Sequence, residues 1–332
     1  MFSNSTQCKY WVYKDDHQLS KLRQEANSRF IERHKDESRS PDSRYEHFLT
    51  PEEERMIYKH YEFTLRDFCK KFQPPVPRSV IGTSFHYFKR FYLNNSVMDY
   101  HPKHMLVTCV YLACKVEEFN VSILQFVSNL RGDRDKATDI ILNHELLLMQ
   151  QLKYHLTVHN PYRPLEGLLI DIKTRCRQFP DPEKLRVLMD DFLDRTLFTD
   201  AMLLMAPSQI ALTAVLYAAN KAQSSYDAYV TDVLFANSSR ETLQHIRDTV
   251  KRLWLMVKSI EVPQKEKVKA AEQKLEGCRN QENNPDSQVY KRKLQEMLED
   301  EQIDNGVKCA RYSEDPRGDE DTLEGTTALD SP

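Results

Sequence analysis

Apolar residues recur at steps of three and four along most of the chain, the spacing that places them on one face of an α-helix. The first such stretch, residues 16–31, aligns Leu19, Leu22 and Ala26 in this way. The sequence ERHKDESRSPDSRYE that follows has no such period and is typical of a loop or linker. We therefore expect an N-terminal helix, within an arm of residues 1–49, ahead of the main body of the chain.

Five helices are predicted between residues 50 and 160. The first has Thr50 as its cap, Pro51 at its first position and Glu53 to complete a capping box, a combination that marks a helix start. The other four are predicted from apolar periodicity. The predicted ranges are 50–72, 79–93, 102–118, 121–130 and 135–155.

The sequence NPYRP at residues 160–164 interrupts the helical pattern, which then resumes as five further segments. These segments are 164–176, 182–199, 207–222, a weaker 226–235, and 239–260. Two groups of five helices in the same order invite a search for an internal repeat.

A shift of 105 residues superimposes the third helix of one group on the third helix of the other. The identical pairs are Pro102 with Pro207, Thr108 with Thr213, Val110 with Val215, and Ala113 with Ala218. Chance agreement between two buried helices is one explanation, and duplication is the one that the equal helix number and order favour. The predicted fold is all-α, with two tandem five-helix repeats at residues 50–160 and 161–262.

The chain after residue 262 differs from the rest in charge. Residues 263–332 contain 11 Lys and Arg against 17 Asp and Glu, whereas residues 1–262 contain 36 against 33. The last fifty residues have few aromatic or branched apolar side chains to bury. We expect one charged C-terminal helix followed by a disordered acidic tail.

Motifs for catalysis and for cofactor binding are missing. Seven glycines in 332 residues are too few for most phosphate-binding loops, and G-x-x-x-x-G-K-[ST], G-x-G-x-x-G and G-x-S-x-G do not occur. The sequence HELLL begins like a zinc-protease helix but has Leu148 in place of the second histidine. His155 and His159 lie four residues apart without a third ligand. We expect no catalytic residues, no metal and no cofactor.

The seven cysteines include no C-x-x-C pair, and Cys109 and Cys114 lie within an apolar helix pattern, which is typical of reduced thiols in the cytosol or nucleus. No apolar run approaches the length of a membrane span, and the N-terminus has no signal-peptide core. The net charge of −3 argues against a protein made to coat nucleic acid. We expect a soluble intracellular protein with no direct nucleic-acid or membrane partner.

The helix predicted at residues 102–118 carries one mixed stripe. His104, Thr108, Tyr111 and Lys115 fall within about 40° of one line along it. Lys115 could complement the dipole at the helix C-terminus, with Glu118 three residues further on as an ion-pair partner. The alternative is that the stripe is an exposed docking surface that ends in a charge.

The internal repeat helps to separate these two readings of Lys115. Under the 105-residue shift Lys115 falls on Asn220, and Glu145, which precedes the sequence LLLM, falls on Val250. A dipole role would be equally useful in both repeats. The presence of both charges in the first repeat alone favours a binding site there.

Several stretches resemble the cyclin family, and most specifically its cyclin H type. YFKRFYLNNSV resembles the second helix of a cyclin box, LACKVEEFNVS the end of the third, and HELLLMQQLKYHLTVHNPYRP the fifth with the crossing to a second box. PSQIALTA resembles the start of the third helix of that second box. The resemblance covers about residues 1–260 and implies two cyclin boxes, of which the first binds a kinase.

The resemblance also implies a site. In this family the equivalents of Lys115 and Glu145 contact the regulatory αC-helix region of a cyclin-dependent kinase, with an apolar surface between them. The expected kinase-binding residues are Lys115, Glu145, Val116, Glu118, Met149, Tyr154 and Leu156. The chain would then be a non-catalytic subunit that sets the kinase's own catalytic groups in place.

The cyclin H type implies particular partners. These are the catalytic subunit of the CDK-activating kinase, a RING-finger assembly subunit and transcription factor IIH, in the nucleus. The implied targets of the complex are cell-cycle kinases and the RNA polymerase II C-terminal tail. The chain has ERMIYKHY where cell-cycle cyclins have M-R-A-I-L, so docking of R-x-L substrates is not expected.

Three other readings remain at this point. A cyclin C type also carries KVEEF, although NNSV and the charged N-terminal helix favour cyclin H. A DNA-binding cyclin-fold module like that of transcription factor IIB would call for a more basic surface, and often for a zinc ribbon. An enzyme that acts alone would call for a catalytic motif.

Overall fold

The computed structural model describes residues 2–35, 47–176, 181–293 and 295–296. In these residues the protein is helical and contains no β-strand. One compact unit covers residues 1–280 and holds the twelve α-helices named below. A second unit, residues 281–332, is described only in its first part, which begins with the 3-10 helix Gln281–Asn283.

The N-terminal arm contains a 3-10 helix, Phe2–Asn4, and then α1, Thr6–Tyr10, and α2, Asp16–Arg33. Asp15 caps α2, because its carboxylate accepts a hydrogen bond of 2.8 Å from the Gln18 amide. The arm is thus structured from its first residues, with an N-terminal helix where the sequence pattern predicts one.

Five α-helices form the first repeat. They are α3, Pro51–Lys71; α4, Arg78–Asn94; α5, Pro102–Val116; α6, Ile123–Val127; and α7, Arg134–Gln151. The predicted capping box starts α3: the Glu53 amide donates to the Thr50 hydroxyl at 3.2 Å, and the Thr50 amide donates to the Glu53 carboxylate at 2.8 Å.

The second repeat follows the same order. It contains α8, Tyr162–Arg175; the 3-10 helix Pro182–Leu185 leading into α9, Arg186–Thr196; the 3-10 helix Ala201–Leu203; α10, Pro207–Lys221; the π-helix Tyr229–Leu234; and α11, Arg240–Lys258. The charged C-terminal helix is α12, Lys265–Cys278, which packs on α3 of the first repeat.

The central helices of the two repeats correspond residue for residue. Both α5 and α10 have 15 residues, and both ends of α10 lie 105 residues after those of α5. Most residues of each helix are buried, because α5 packs between α4 and α7 while α10 packs against α8, α9 and α11. The prediction of two tandem five-helix repeats with central third helices is confirmed.

Helix ends are where the prediction differs most from the structure. The fourth helix of the first repeat is only five residues long. Ser122 and Gln125 cap its start, and the side chain of Asn129, just after its end, bonds the backbone of Gln73. The helix predicted to reach residue 155 ends at Gln151. The helix does not continue because Lys153 and Tyr154, which follow its C-cap Leu152, adopt φ values in the left-handed region.

Three general expectations concern membrane-spanning helices, the state of the cysteines and the acidic tail. Among the described helices, none combines the length and apolar character that a membrane crossing requires. The cysteines of the described ranges, which are all but Cys309, are unpaired, and five of these six are buried. The expected disorder of the acidic tail concerns mainly residues 297–332, which lie outside the described residues.

Candidate functional site

Lys115 and Glu145 meet although they lie 30 residues apart. Lys115 stands in the last turn of α5, and its Nζ donates to Oε1 and Oε2 of Glu145 on α7, at 2.7 and 2.9 Å. The Lys115 side chain is half exposed and its Nζ lies 5.1 Å from the centre of the Tyr111 ring, whereas the Glu145 side chain is mostly buried. The pair therefore fixes the end of α5 to α7 and still presents a charge to solvent.

Two expectations about this helix end are wrong. Thr108 and Tyr111 are buried, so the mixed stripe is not an exposed docking surface, and Lys115 is the part of it that reaches solvent. The ion-pair partner of Lys115 is Glu145 and not Glu118. Glu118 lies after the end of the helix with a φ of 57°, and its side chain is exposed. The i, i+3 pairing expected within a helix therefore does not apply to Lys115 and Glu118.

The outer face of α7 adds two side chains that the sequence analysis missed. Leu142, Leu146 and Met149 follow one another at steps of four and three, so they share the face on which Glu145 lies. Leu142 is 46% exposed and Leu146 is 54% exposed, while Met149 is half-buried. The signal was present in the sequence, but the same spacing is typical of a core face.

A tight turn after α7 presents Tyr154. Lys153 and Tyr154 have φ values of 54° and 56°, which for residues other than glycine cost on the order of 1–3 kcal/mol each. Tyr154 is 60% exposed, and its amide donates to the Met149 carbonyl at 2.9 Å. The structure thus places an exposed aromatic ring at the end of the outer face of α7.

The remaining two expected residues are less exposed. Val116, next to Lys115, and Leu156, two residues after Tyr154, are both half-buried. The Leu156 carbonyl accepts a hydrogen bond of 2.6 Å from the Tyr87 hydroxyl, which holds this part of the chain against α4. We call the surface formed by Lys115, Glu145, the outer face of α7 and Tyr154 the α5–α7 surface.

The equivalent place in the second repeat has a different character. Asn220 and Val250, which correspond to Lys115 and Glu145, line a cavity of about 340 Å³. Tyr217 on α10 and Trp254 on α11 also line it. At the two positions of the Lys115–Glu145 ion pair, the second repeat thus has uncharged side chains that border a cavity.

The two histidines considered as metal ligands have other roles. The Trp11 Nε1 donates to the His155 Nδ1 at 3.1 Å, and the Gln7 side chain bonds both the amide and the carbonyl of His159. Within the described ranges, no three His, Cys, Asp or Glu side chains are grouped as metal ligands would be. No described residue is therefore assigned to a cofactor.

Comparison with known proteins places the chain in a family. The family model for the cyclin N-terminal domain matches residues 24–157, and that for the cyclin C-terminal domain matches residues 160–258. Cyclin-H of Xenopus laevis is 46% identical over 285 residues, which are 85% of this chain and 88% of that protein. The chain belongs to the cyclin family. Its resemblance to the cyclin H type is thereby confirmed.

Two solved structures share the fold of this cyclin. A chain in the structure of the CAK complex from Chaetomium thermophilum bound to ATP-gamma-S has a TM-score of 0.75 and 24% identity, with 90% of this cyclin and 94% of that chain covered. A chain in the cryoEM structure of the yeast TFIIK (Kin28/Ccl1/Tfb3) complex has a TM-score of 0.61 and 25% identity, with coverages of 76% and 99%.

Proposed function

We propose that this cyclin is the non-catalytic regulatory subunit of the CDK-activating kinase. The observation that carries the proposal is the 46% identity to Xenopus Cyclin-H, because it extends over 88% of that protein and so includes both repeats. The family resemblance supplies the reaction: the kinase transfers the phosphoryl group, and the cyclin holds the kinase in its active form.

The wider assembly is part of the same proposal. The yeast neighbour comes from a TFIIK complex of three named proteins, Kin28, Ccl1 and Tfb3. We propose that this cyclin likewise joins a kinase catalytic subunit and a RING-finger assembly subunit, as a part of transcription factor IIH in the nucleus. Cell-cycle kinases and the RNA polymerase II tail would be the targets of the complex.

The α5–α7 surface is the proposed contact with the αC-helix region of the kinase. Exposed Leu142, Leu146 and Tyr154 offer apolar area. Of the three, Tyr154 is the type of residue that most often carries a large share of the binding energy of an interface. Lys115 and Glu145 at the edge would set the orientation of the kinase helix, since charges contribute more to specificity than to affinity. A fixed αC helix keeps the kinase's Lys-Glu ion pair formed.

The experiment is co-expression with the kinase catalytic subunit, using the wild-type chain and the charge swap Lys115→Glu with Glu145→Lys. The wild-type chain should have no kinase activity alone and should give an active complex. The swap should weaken the complex about tenfold or more, since it inverts the charges at the contact. Its melting temperature should stay within a few degrees, because the exchanged pair can still form.

A matched control is the same swap at an exposed Lys-Glu pair outside the α5–α7 surface, Lys21→Glu with Glu25→Lys on α2. This control should bind the kinase like the wild type. Normal binding by the Lys115 and Glu145 swap would show that the α5–α7 surface is not the contact. A wild-type chain that activates no cyclin-dependent kinase would remove the proposed function itself.

A further inference from the structure

The backbone that presents Tyr154 is held from two sides. On the α4 side, the Arg90 Nη1 donates to the His155 carbonyl at 3.0 Å, and Tyr87 bonds the carbonyl of the next residue. On the side of the N-terminal arm, Gln7 bonds the backbone of His159. Three of the residues that follow Tyr154, namely His155, Leu156 and His159, are therefore held by hydrogen bonds from other parts of the chain.

Trp11 of the N-terminal arm makes the contact closest to Tyr154. Its Nε1 donates to the Nδ1 of His155 at 3.1 Å, so the neutral His155 ring acts as the acceptor. The ring of Tyr10 stacks on the same imidazole, with 4.9 Å between centroids and 16° between planes. His155 is thus held at its ring by the arm and at its carbonyl by α4.

Trp11 and Arg90 also hold each other. The Arg90 guanidinium carbon lies 5.0 Å from the centre of the Trp11 ring, and Trp11 and Arg90 are 2% and 0% exposed. In the part of the chain that the structure describes, the Nε and Nη2 of Arg90 have no hydrogen-bond partner. The Arg90 bond to the His155 carbonyl is therefore the polar contact that orients this buried cation within the turn.

We infer that His155 is a positioning residue for kinase binding, and that Trp11 holds the His155 ring in place. The inference rests on the proposed function and deepens it, since it names what holds Tyr154 on the α5–α7 surface in place. The ring of Trp11 contacts His155 and Arg90. It acts through His155, the residue that directly follows Tyr154.

The reason that Tyr154 needs such support is its backbone. Two consecutive residues in the left-handed region persist only where the surrounding structure holds them. With His155 fixed at both ring and carbonyl, the turn cannot relax into a right-handed conformation without loss of both contacts. A partner then meets a side chain that is already ordered, and less conformational entropy is lost on binding.

The test is Trp11→Phe, which keeps an aromatic ring over Arg90 and removes the N–H donor. We expect faster amide hydrogen exchange confined to residues 154–156 of the free chain, and a kinase complex that is weaker by about threefold to tenfold. The matched control is Trp254→Phe, the same change at the second of the two tryptophans in the chain. It should change neither the exchange at residues 154–156 nor the affinity.

His155→Phe removes the acceptor of the same hydrogen bond and keeps a ring for Tyr10 to stack on. It replaces Trp11→Phe as the test if that variant melts more than a few degrees below the wild type. The double variant should be no weaker in binding than either single one, because both remove one interaction. A double variant whose loss of affinity is the product of the two single losses would overturn the inference. Single variants with the hydrogen exchange or the affinity of the wild type would overturn it too.

Failure of the inference and failure of the proposed function give different results. Exchange at residues 154–156 is measured in the free chain and reports the Trp11 contact whether or not a kinase binds. If the wild-type chain bound no kinase, the proposed function would fail, but Trp11→Phe would still show faster exchange at residues 154–156. If the wild type bound and Trp11→Phe bound equally well, His155 positioning alone would be wrong.

Discussion

Glu54 is a residue whose chemistry is decided entirely by its place in the fold. It lies in the first turn of α3, within the sequence PEEER, which is typical of a solvated helix start. In the structure it is buried, and it accepts a hydrogen bond from the Ser96 hydroxyl. Burial raises the pKa of Glu54 to about 7, although the hydrogen bonds from Ser96 and Asn27 oppose this.

The raised pKa predicts how stability depends on pH. Between about pH 4.5 and 7 the carboxyl ionises in the unfolded chain before it does so in the folded one, so stability falls as the pH rises through this window. Glu54→Gln should remove this fall and raise the free energy of unfolding at pH 8 by about 2–3 kcal/mol. Urea unfolding at pH 4.5 and pH 8 measures the difference, with the exposed Glu52→Gln as control. Equal pH profiles for Glu54→Gln and the wild type would contradict the prediction.

At the scale of the helices, spacing in the sequence predicts where helices lie and how they begin. It does not predict which face of a helix is buried, because that depends on the neighbouring helices. The capping box of α3 and the 105-residue match of α5 and α10 are local patterns, and both are present in the structure. The apolar residues of α7 occupy two faces, since Ile141 and Leu148 are buried while Leu142 and Leu146 are exposed. Spacing alone cannot tell these faces apart, because the difference lies in which helices pack against α7.

The packing of α4 against the link between the two repeats depends on a glycine. A Cβ atom added to Gly82 would lie 2.1 Å from Oδ1 of Asn160. The Asn160 side chain cannot easily move away, because its Nδ2 donates to the Ser79 carbonyl at 3.3 Å and to the Thr83 hydroxyl at 3.1 Å. The close approach thus holds the start of the link between the two repeats against α4.

Gly82→Ala should therefore destabilise the protein, although alanine favours a helix more than glycine does. We expect a loss of about 1–2 kcal/mol after the gain in helix propensity of about 1 kcal/mol. Gly167→Ala on α8 is the matched control, because nothing lies within 4 Å of its added Cβ. It should stabilise the protein by up to about 1 kcal/mol. Calorimetry measures the stability of both variants. A gain in stability for Gly82→Ala as well would show that the Asn160 side chain moves aside without a loss of stability.

At the scale of the whole first unit, α2 joins the two repeats through buried charges. Both terminal nitrogens of Arg23 donate to the carboxylate of Asp200, each at 2.8 Å. Lys89 of α4 is completely buried between Glu62 of α3 and Asp200, with which it also pairs at 3.8 Å. Burial would raise the pKa of Asp200, but Arg23 and Lys89 hold it well below its usual range.

Asp200→Asn should lower the free energy of unfolding by about 3 kcal/mol at neutral pH, because it leaves two buried cations with one carboxylate fewer. Since the pKa of Asp200 is lowered on folding, its contribution is present above about pH 4 and is lost as the pH falls further. The variant should therefore lose less stability on acidification than the wild type.

The control for this cluster is Asp16→Asn. Asp16 is also a residue of α2 and pairs with Arg252 of the second repeat at 2.7 Å, but both side chains are exposed. It should cost less than about 1 kcal/mol. Denaturant unfolding at several pH values measures both variants. Similar losses for Asp200→Asn and Asp16→Asn would mean that the buried cluster adds no more than a surface ion pair.

The constant offset between α5 and α10 bears on how the two halves diverged. Both helices have 15 residues and begin and end 105 residues apart, whereas the first helices of the two repeats begin 111 residues apart and the second helices 108 residues apart. The central helices thus keep one frame, while the helices before them differ in length and spacing. Lys115 and Asn220 stand at the same point of this shared frame, as do Glu145 and Val250. At these matched positions the first repeat carries a charged pair and the second an uncharged one, so a binding surface specific to one repeat needs no change in the length of the central helix.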